Sequence, residues 1–232
     1  MSLQCDSSPN RHPPLVIING LGAPNVLARL YGLVFRVRGM RVFTAPQSFL
    51  NYGDIRESAR RVRETVERAL AETGARKVNL VGVSLGGLIG LYYVKCGGGA
   101  PHVDRFISVG GPLNGSPVAC LGRVPPFTLV KSLGQTCPES DLVREVHEAP
   151  QPEGVRLYAV GTRGDFITPR ASWTGEGLAV VETPHGFFPL GHYCLYLLPG
   201  NHRVVLDLLR GGEAAPEPSP TRAACGTEAR SR

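Results

Sequence analysis

The stretch Val78-Asn79-Leu80-Val81-Gly82-Val83-Ser84-Leu85-Gly86-Gly87-Leu88-Ile89-Gly90 decides how the rest of the chain is read. Its first half is an apolar run of strand length, rich in valine and leucine, and predicts a buried strand. Its second half predicts a helix. Between them sits Gly-x-Ser-x-Gly, Gly82 to Gly86, so the order is strand, sharp turn, helix. Such a turn holds its serine with strained backbone angles and leaves no room for side chains two residues to either side. Glycine at 82 and 86 meets that demand. A helix starting at the serine aims its free N–H groups and positive dipole end at the hydroxyl. The pattern points to Ser84 as a nucleophile, the plainer alternative being a glycine-rich strand-to-helix turn.

Upstream, Leu15-Val16-Ile17-Ile18 is short, wholly apolar and β-branched, as strands buried on both faces are. It ends in the glycine-rich Asn19-Gly20-Leu21-Gly22-Ala23-Pro24. A helix is expected over 26–38, with Leu27, Leu30, Tyr31 and Val34 on its apolar face, then a strand over 41–44. Over 54–72, Ile55, Ala59, Val62, Val66, Ala69 and Leu70 recur at three- and four-residue steps, and Gly74 ends the helix. Downstream of the elbow, Gly97-Gly98-Gly99 stops the helix begun at Leu85. Residues 103–109 read as a strand broken by Arg105, and 155–160 and 178–181 as two more. A helix over 201–210 carries Val204, Val205, Leu208 and Leu209.

Between the strands at 103–109 and 155–160 the alternation is lost. Pro112, Pro117, Pro125, Pro126 and Pro138 punctuate it, with one short helix expected near 139–147. A segment this long without a strand is expected to be functional. It is read as a lid-like insertion over 112–152, with Pro125-Pro126-Phe127-Thr128-Leu129-Val130 at the centre of a roof. The organisation expected is an N-terminal arm over 1–13, one domain over 14–210 and a disordered tail over 211–232, rich in Pro, Ala, Glu, Ser and Arg. Alternating strands and helices predict the α/β class, a mostly parallel sheet with helices on both faces.

A chain of 232 residues suits one such domain. The net charge of +6 comes from dispersed arginines, with one group at Arg56, Arg60, Arg61 and Arg63 on a predicted solvated helix face. No basic patch is interleaved with aromatics, which argues against nucleic acid and leaves only mild attraction to an anionic lipid surface. No apolar run has the length of a signal or a membrane span, so the default expectation is cytoplasmic, with secretion of a processed form left open. The cysteines at 5, 96, 120, 137, 194 and 225 form no Cys-x-x-Cys pair. No metal or other cofactor is expected, and free buried thiols are favoured over a Cys120–Cys137 bridge.

A serine hydroxyl needs a histidine to take its proton and a carboxylate to orient that histidine. In a parallel sheet these groups gather just past the strands. Asp165 follows the strand over 155–160 and is the expected acid; Asp141 and Asp104 fit less well. His192 is the expected base, ahead of His185, while His202 reads as a surface or capping residue. His12, His102 and His147 precede the acid and read as exposed. The oxyanion needs two preorganised N–H donors. These are assigned to the amides of Leu85 and Leu21, with Gly22 as the near alternative.

These residues resemble the bacterial lipase and esterase branch of the α/β-hydrolase superfamily. The segment 78–88 is similar to that family's elbow, Val-Gly-His-Ser-Met/Leu-Gly-Gly. Ser108-Val109-Gly110-Gly111-Pro112-Leu113-Asn114-Gly115-Ser116-Pro117 is similar to its Gly-Thr-Pro-His-x-Gly-Thr segment, and Gly191-His192-Tyr193 to its histidine segment. The chain departs from the family at Asn19, where His-Gly is usual, at Val83, where histidine is usual, and at Leu113 and Asn114. The resemblance implies an α/β-hydrolase fold and hydrolysis of carboxylic esters, with a small-molecule ester or lipid as substrate. An acyltransferase or thioesterase would use the same triad. A non-catalytic binding protein on this fold is the reading from another class.

Overall fold

The strands are apolar on both sides, so each side of the sheet must be covered, and the helices divide accordingly. The computed structural model describes residues 12–212 apart from His185. Among the described residues, six strands form one parallel sheet: β1 (Leu15–Ile18), β2 (Val42–Ala45), β3 (Val78–Val83), β4 (Val103–Val109), β5 (Arg156–Gly161) and β6 (Ala179–Glu182). The order across the sheet is β2-β1-β3-β4-β5-β6. Helices α1 (Asn25–Arg36), α2 (Ile55–Thr73) and α3 (Leu85–Lys95) make the first crossovers. Helices α4 (Lys131–Gln135) and α5 (Asp141–Glu148) lie between β4 and β5, and α6 (Arg170–Trp173) follows β5. Helices α7 (Gly191–Leu197) and α8 (Pro199–Leu209) come after β6.

Side chains alternate across each strand. Val16, Ile18, Leu80, Phe106 and Ala159 therefore share one core with α2, α3 and α5. Leu15, Ile17, Val81, Ile107 and Val160 share the other with α1 and α8. The chain leaves β1 for β2 on one side and returns to β3 on the other. The loops after β1 and β3 diverge there, and the crevice between them is the switch point at which such sheets bind ligands.

Helix α2 follows its sequence pattern closely. Ile55, Ala59, Val62, Val66 and Ala69 are buried, and Gly74 ends the helix in the left-handed conformation at φ 68°. Asp54 caps it, accepting from the Arg56 amide at 2.8 Å. Partial burial pushes the Asp54 carboxyl up, but hydrogen bonds from Lys131, Gln135 and the Arg56 amide outweigh it and hold the group below its usual value. Asp54→Ala is expected to cost about 0.5–2 kcal/mol in a denaturant melt at neutral pH. Because the folded-state value is lowered, the charged cap's contribution is present above the ordinary carboxylate range. It fades as pH falls through the lowered value.

Two expectations are corrected, that for 125–130 and that for Cys120 and Cys137, and two helices hold more than the sequence pattern conveyed. On α1 the residues against the sheet are Ala28, Gly32 and Phe35, while Leu27, Leu30, Tyr31 and Val34 line a cavity. That apolar face serves the cavity wall, with Tyr31 and Val34 packed against the core as well. The segment at 125–130 does not roof that cavity: Phe127 is 48% exposed and Leu129 85%, and the wall comes from Pro112, Ser116, Val118, Ala119, Ser132, Leu133 and Thr136. Cys120 and Cys137 are not free thiols but form a disulfide, whereas Cys96 and Cys194 are free. Residues 191–197, to which the sequence pattern assigned no element, form α7, whose seven residues are too few to show a period. The arm over 1–13 and the tail over 211–232 lie almost wholly outside the described residues.

Arg105 interrupts β4 without unsettling it. Its side chain crosses to the end of α8, where Nη1 donates to the Leu208 carbonyl at 2.7 Å, a cation at the negative end of a helix. No helix of the described residues is long and apolar enough to cross a membrane.

Candidate active site

The turn after β3 is as tight as its sequence demands. Ser84 sits at φ 52°, ψ −125°, a region that side chains adopt only under strain. A Cβ on Gly82 would lie 2.3 Å from the Gly86 carbonyl oxygen, and one on Gly86 2.4 Å from the Ile18 oxygen. The loop after β1 comes equally close: a Cβ on Gly20 would lie 2.8 Å from the Ser84 Cβ. The three glycines let two neighbouring loops close over one serine.

Ser84 Oγ lies 2.9 Å from His192 Nε2, and His192 Nδ1 lies 2.6 Å from Asp165 Oδ2. The two loops that carry the acid and the base are joined by an antiparallel bridge between Asp165 and Leu190 and by the Gly191 amide donating to the Gly164 carbonyl at 3.2 Å. His192 thus enters on the first turn of α7. A carboxylate only accepts, so the imidazole proton belongs on Nδ1 and Nε2 is left to accept from the serine hydroxyl. Asp165 is buried and well supplied with donors. The amides of Ile167 and Thr168 donate to Oδ1, each at 2.9 Å, and Thr168 Oγ1 donates to Oδ2 at 2.6 Å.

The structure thus brings Ser84, Asp165 and His192 together, and the weaker candidates lie elsewhere. Asp104 pairs with Arg156 at 2.8 Å, and Asp141 is exposed at the start of α5 beside Arg144. His202 donates from Nε2 to the Tyr196 carbonyl, the capping role expected of it, and also lines the cavity. His185 lies outside the described residues.

Leu85 opens α3 directly after the nucleophile, where a first-turn amide has no partner within its helix. In the loop after β1, the Gly22 amide is engaged with the Leu50 carbonyl at 2.8 Å. Of the two candidates there, the Leu21 amide is the one without a backbone partner among the described residues. The loop is held from behind by Asn51, whose Nδ2 donates to the Asn19 carbonyl at 3.0 Å. Asn19 Nδ2 in turn donates to the Pro24 carbonyl at 3.1 Å. Asn51 also accepts at its own carbonyl from Ser132 Oγ of α4 at 2.7 Å, which ties the insertion to the same loop. Leu50 and Asn51 both take positive φ, 47° and 61°.

Ser84 opens onto a cavity of about 750 Å³. One wall comes from the insertion and the other from α1, α7 and α8, including Leu27, Leu30, Val34 and Leu197. The Tyr196 ring packs edge-on against His192, centroids 5.3 Å apart, and the Tyr31 ring packs edge-on against His202 at 5.4 Å. Burial pushes both phenols up, and the negative charge of Asp165 pushes Tyr196 further. The sequence reading missed Thr168, Asn51, Tyr31 as a cavity residue and Tyr196. Only Thr168 left a local signal, since a threonine three residues after a loop aspartate is placed to close an Asx turn.

A family model described as the alpha/beta hydrolase fold matches residues 13–125. Among solved structures, the mature form of the Bacillus licheniformis lipase BlEst2 superposes with a TM-score of 0.65 at 17% identity, over 85% of this chain and 92% of that one. Aspergillus fumigatus lipase B gives a TM-score of 0.70 at 17% identity, over 92% of this chain and 56% of that one. A Paleococcus ferrophilus monoacylglycerol lipase gives 0.57 at 16% identity, over 85% and 95%. At such identities the likeness is one of fold, and it agrees with the parallel sheet and its elbow after β3. By that agreement and the family-model match over residues 13–125, the chain has the α/β-hydrolase fold.

Proposed function

We propose that the chain is a serine hydrolase of carboxylic esters working through a covalent acyl-enzyme. The observation that carries this reading is the run of contacts Ser84–His192–Asp165, 2.9 and 2.6 Å, at the mouth of a largely apolar cavity. Ser84 Oγ attacks the ester carbonyl while His192 Nε2 takes its proton. The carbonyl oxygen gains negative charge and is held by the Leu85 and Leu21 amides, with the N-terminus of α3 behind it. His192 returns the proton to the departing alcohol. It then draws a proton from water, which attacks the acyl-enzyme and releases the acid. Asp165 keeps the imidazole in the tautomer and orientation these steps need.

The protein should be labelled by a fluorophosphonate probe and should hydrolyse a short p-nitrophenyl ester. Ser84→Ala should lose both while keeping its circular dichroism spectrum and melting behaviour. Ester turnover by the folded Ser84→Ala protein at the unsubstituted rate would refute the assignment. Transfer to an alcohol and thioester hydrolysis share the acyl-enzyme, and product analysis with those acceptors and donors separates them from ester hydrolysis.

A further inference from the structure

The Asp165 side chain has no access to water, being 0% exposed in its pair with His192. A carboxylate so buried keeps its charge only where protein donors fill its acceptor sites. The backbone amides of Ile167 and Thr168 fill Oδ1, each at 2.9 Å, which is what a turn opened by an aspartate supplies by itself. Oδ2 receives the His192 Nδ1 proton at 2.6 Å and has a second donor beyond that turn, the Thr168 hydroxyl, also at 2.6 Å. Each oxygen thus accepts two bonds, the full capacity of a carboxylate.

Thr168 is itself 1% exposed, and its hydroxyl stands where the acid, the base and the loop after β4 meet. Oγ1 lies 3.1 Å from the Gly110 carbonyl oxygen and 3.3 Å from His192 Nδ1. Its single proton goes to the shorter contact, with the charged oxygen. Gly110 closes this side of the pair. It takes φ 58°, and a Cβ there would lie 2.8 Å from Leu195 Cδ1 and 3.6 Å from both Asp165 Oδ2 and His192 Nδ1. Two bonds to Oδ1 fix one oxygen; they do not fix the turn of the carboxylate about it. The hydroxyl fixes Oδ2, and with it the direction in which the imidazole is held. That direction matters most as Ser84 gives up its proton, when the imidazole becomes a cation facing Oδ2.

We infer that Thr168 is a positioning residue, whose hydroxyl aims Asp165 Oδ2 at His192 Nδ1 and so keeps the imidazole set to take the Ser84 proton. This rests on the ester-hydrolase reading. The test pairs Thr168→Val, which keeps the shape and the methyl group and removes the hydroxyl, with Thr168→Ser, which keeps the hydroxyl. On a short p-nitrophenyl ester, kcat of the valine variant should fall about tenfold to hundredfold, as for a lost bond to a charged group. KM should stay within about twofold, because Thr168 is too buried to hold substrate. The rate constant of fluorophosphonate labelling should fall by the same factor, and the serine variant should recover both to within about threefold. Rates are taken per serine that labels, so a loss of folded protein does not count as a loss of kcat. In an Asp165→Asn background the valine substitution should leave the labelling rate constant unchanged, because the group it acts through is already disabled. A kcat within about twofold of the unsubstituted protein, a change confined to KM, a serine variant as slow as the valine one, or an equal fall in the Asp165→Asn background overturns the role of Thr168 and leaves the ester-hydrolase reading standing. Absence of both labelling and ester turnover in the unsubstituted protein overturns that reading and the role of Thr168 with it.

Discussion

His192→Ala is expected to lower kcat on a p-nitrophenyl ester by roughly 10⁴- to 10⁶-fold. KM should change far less, because the imidazole moves protons rather than holding the acyl chain. The size of the loss follows from the geometry. In the proposed mechanism Nε2 is the proton acceptor; it lies 2.9 Å from Ser84 Oγ, and no other imidazole of the described residues is placed to replace it. His202 is turned to the Tyr196 carbonyl. Steady-state kinetics alongside a thermal melt would check the result, and activity within tenfold of the unsubstituted protein would remove His192 from its role. The same replacement at His185, the alternative on sequence alone, is expected to leave most of the activity.

Asp165→Asn should cost about 10⁴-fold in kcat with the fold intact. The surroundings of the carboxylate explain why an isosteric amide fails. Oδ1 receives two backbone amides, from Ile167 and Thr168, so that position must remain an oxygen. The NH₂ of the asparagine is therefore forced to the other side, toward His192 Nδ1 and Thr168 Oγ1. A donor there turns the imidazole to the tautomer with its proton on Nε2, which cannot accept from Ser84. The rate of fluorophosphonate labelling, set by the same proton transfer, should fall in parallel with kcat. Rates within tenfold of the unsubstituted protein would show that Asp165 does not set the tautomer.

The elbow was legible because its constraint is steric and local: only glycine fits at 82 and 86, and the sequence puts glycine there. Asp165 and His192 were candidates by chain order and by their places past predicted strands, and the structure sets both in one run of contacts with Ser84. Helix α1 was legible as apolar but not in its partner, because a period of 3.6 reports which face avoids water and not what covers it. The other gaps concern contacts between distant parts of the chain. Asn51 reaches Asn19 across 32 positions and Ser132 across 81, and no spacing rule encodes either. The Cys120–Cys137 bridge joins residues 17 apart, and scattered cysteines allow too many pairings for sequence to choose. Tyr196 sits four residues past a recognised histidine, yet the strand-and-loop reading of that segment gave no helix to put the two on one face.

The Asn51 tether bears on how far this chain can change its diet. Ser132 belongs to the cavity wall, and through Asn51 it is two hydrogen bonds from the loop that carries the Leu21 amide. Under the proposed mechanism, a substitution that shifts α4 to admit a bulkier chain also pulls on the seat of the reacting oxygen, so breadth of substrate and speed would be traded against each other along that wall. On the opposite wall Leu30, Val34 and Leu197 project from helices that these bonds do not join. Drift in chain-length preference has its freer route through those three side chains.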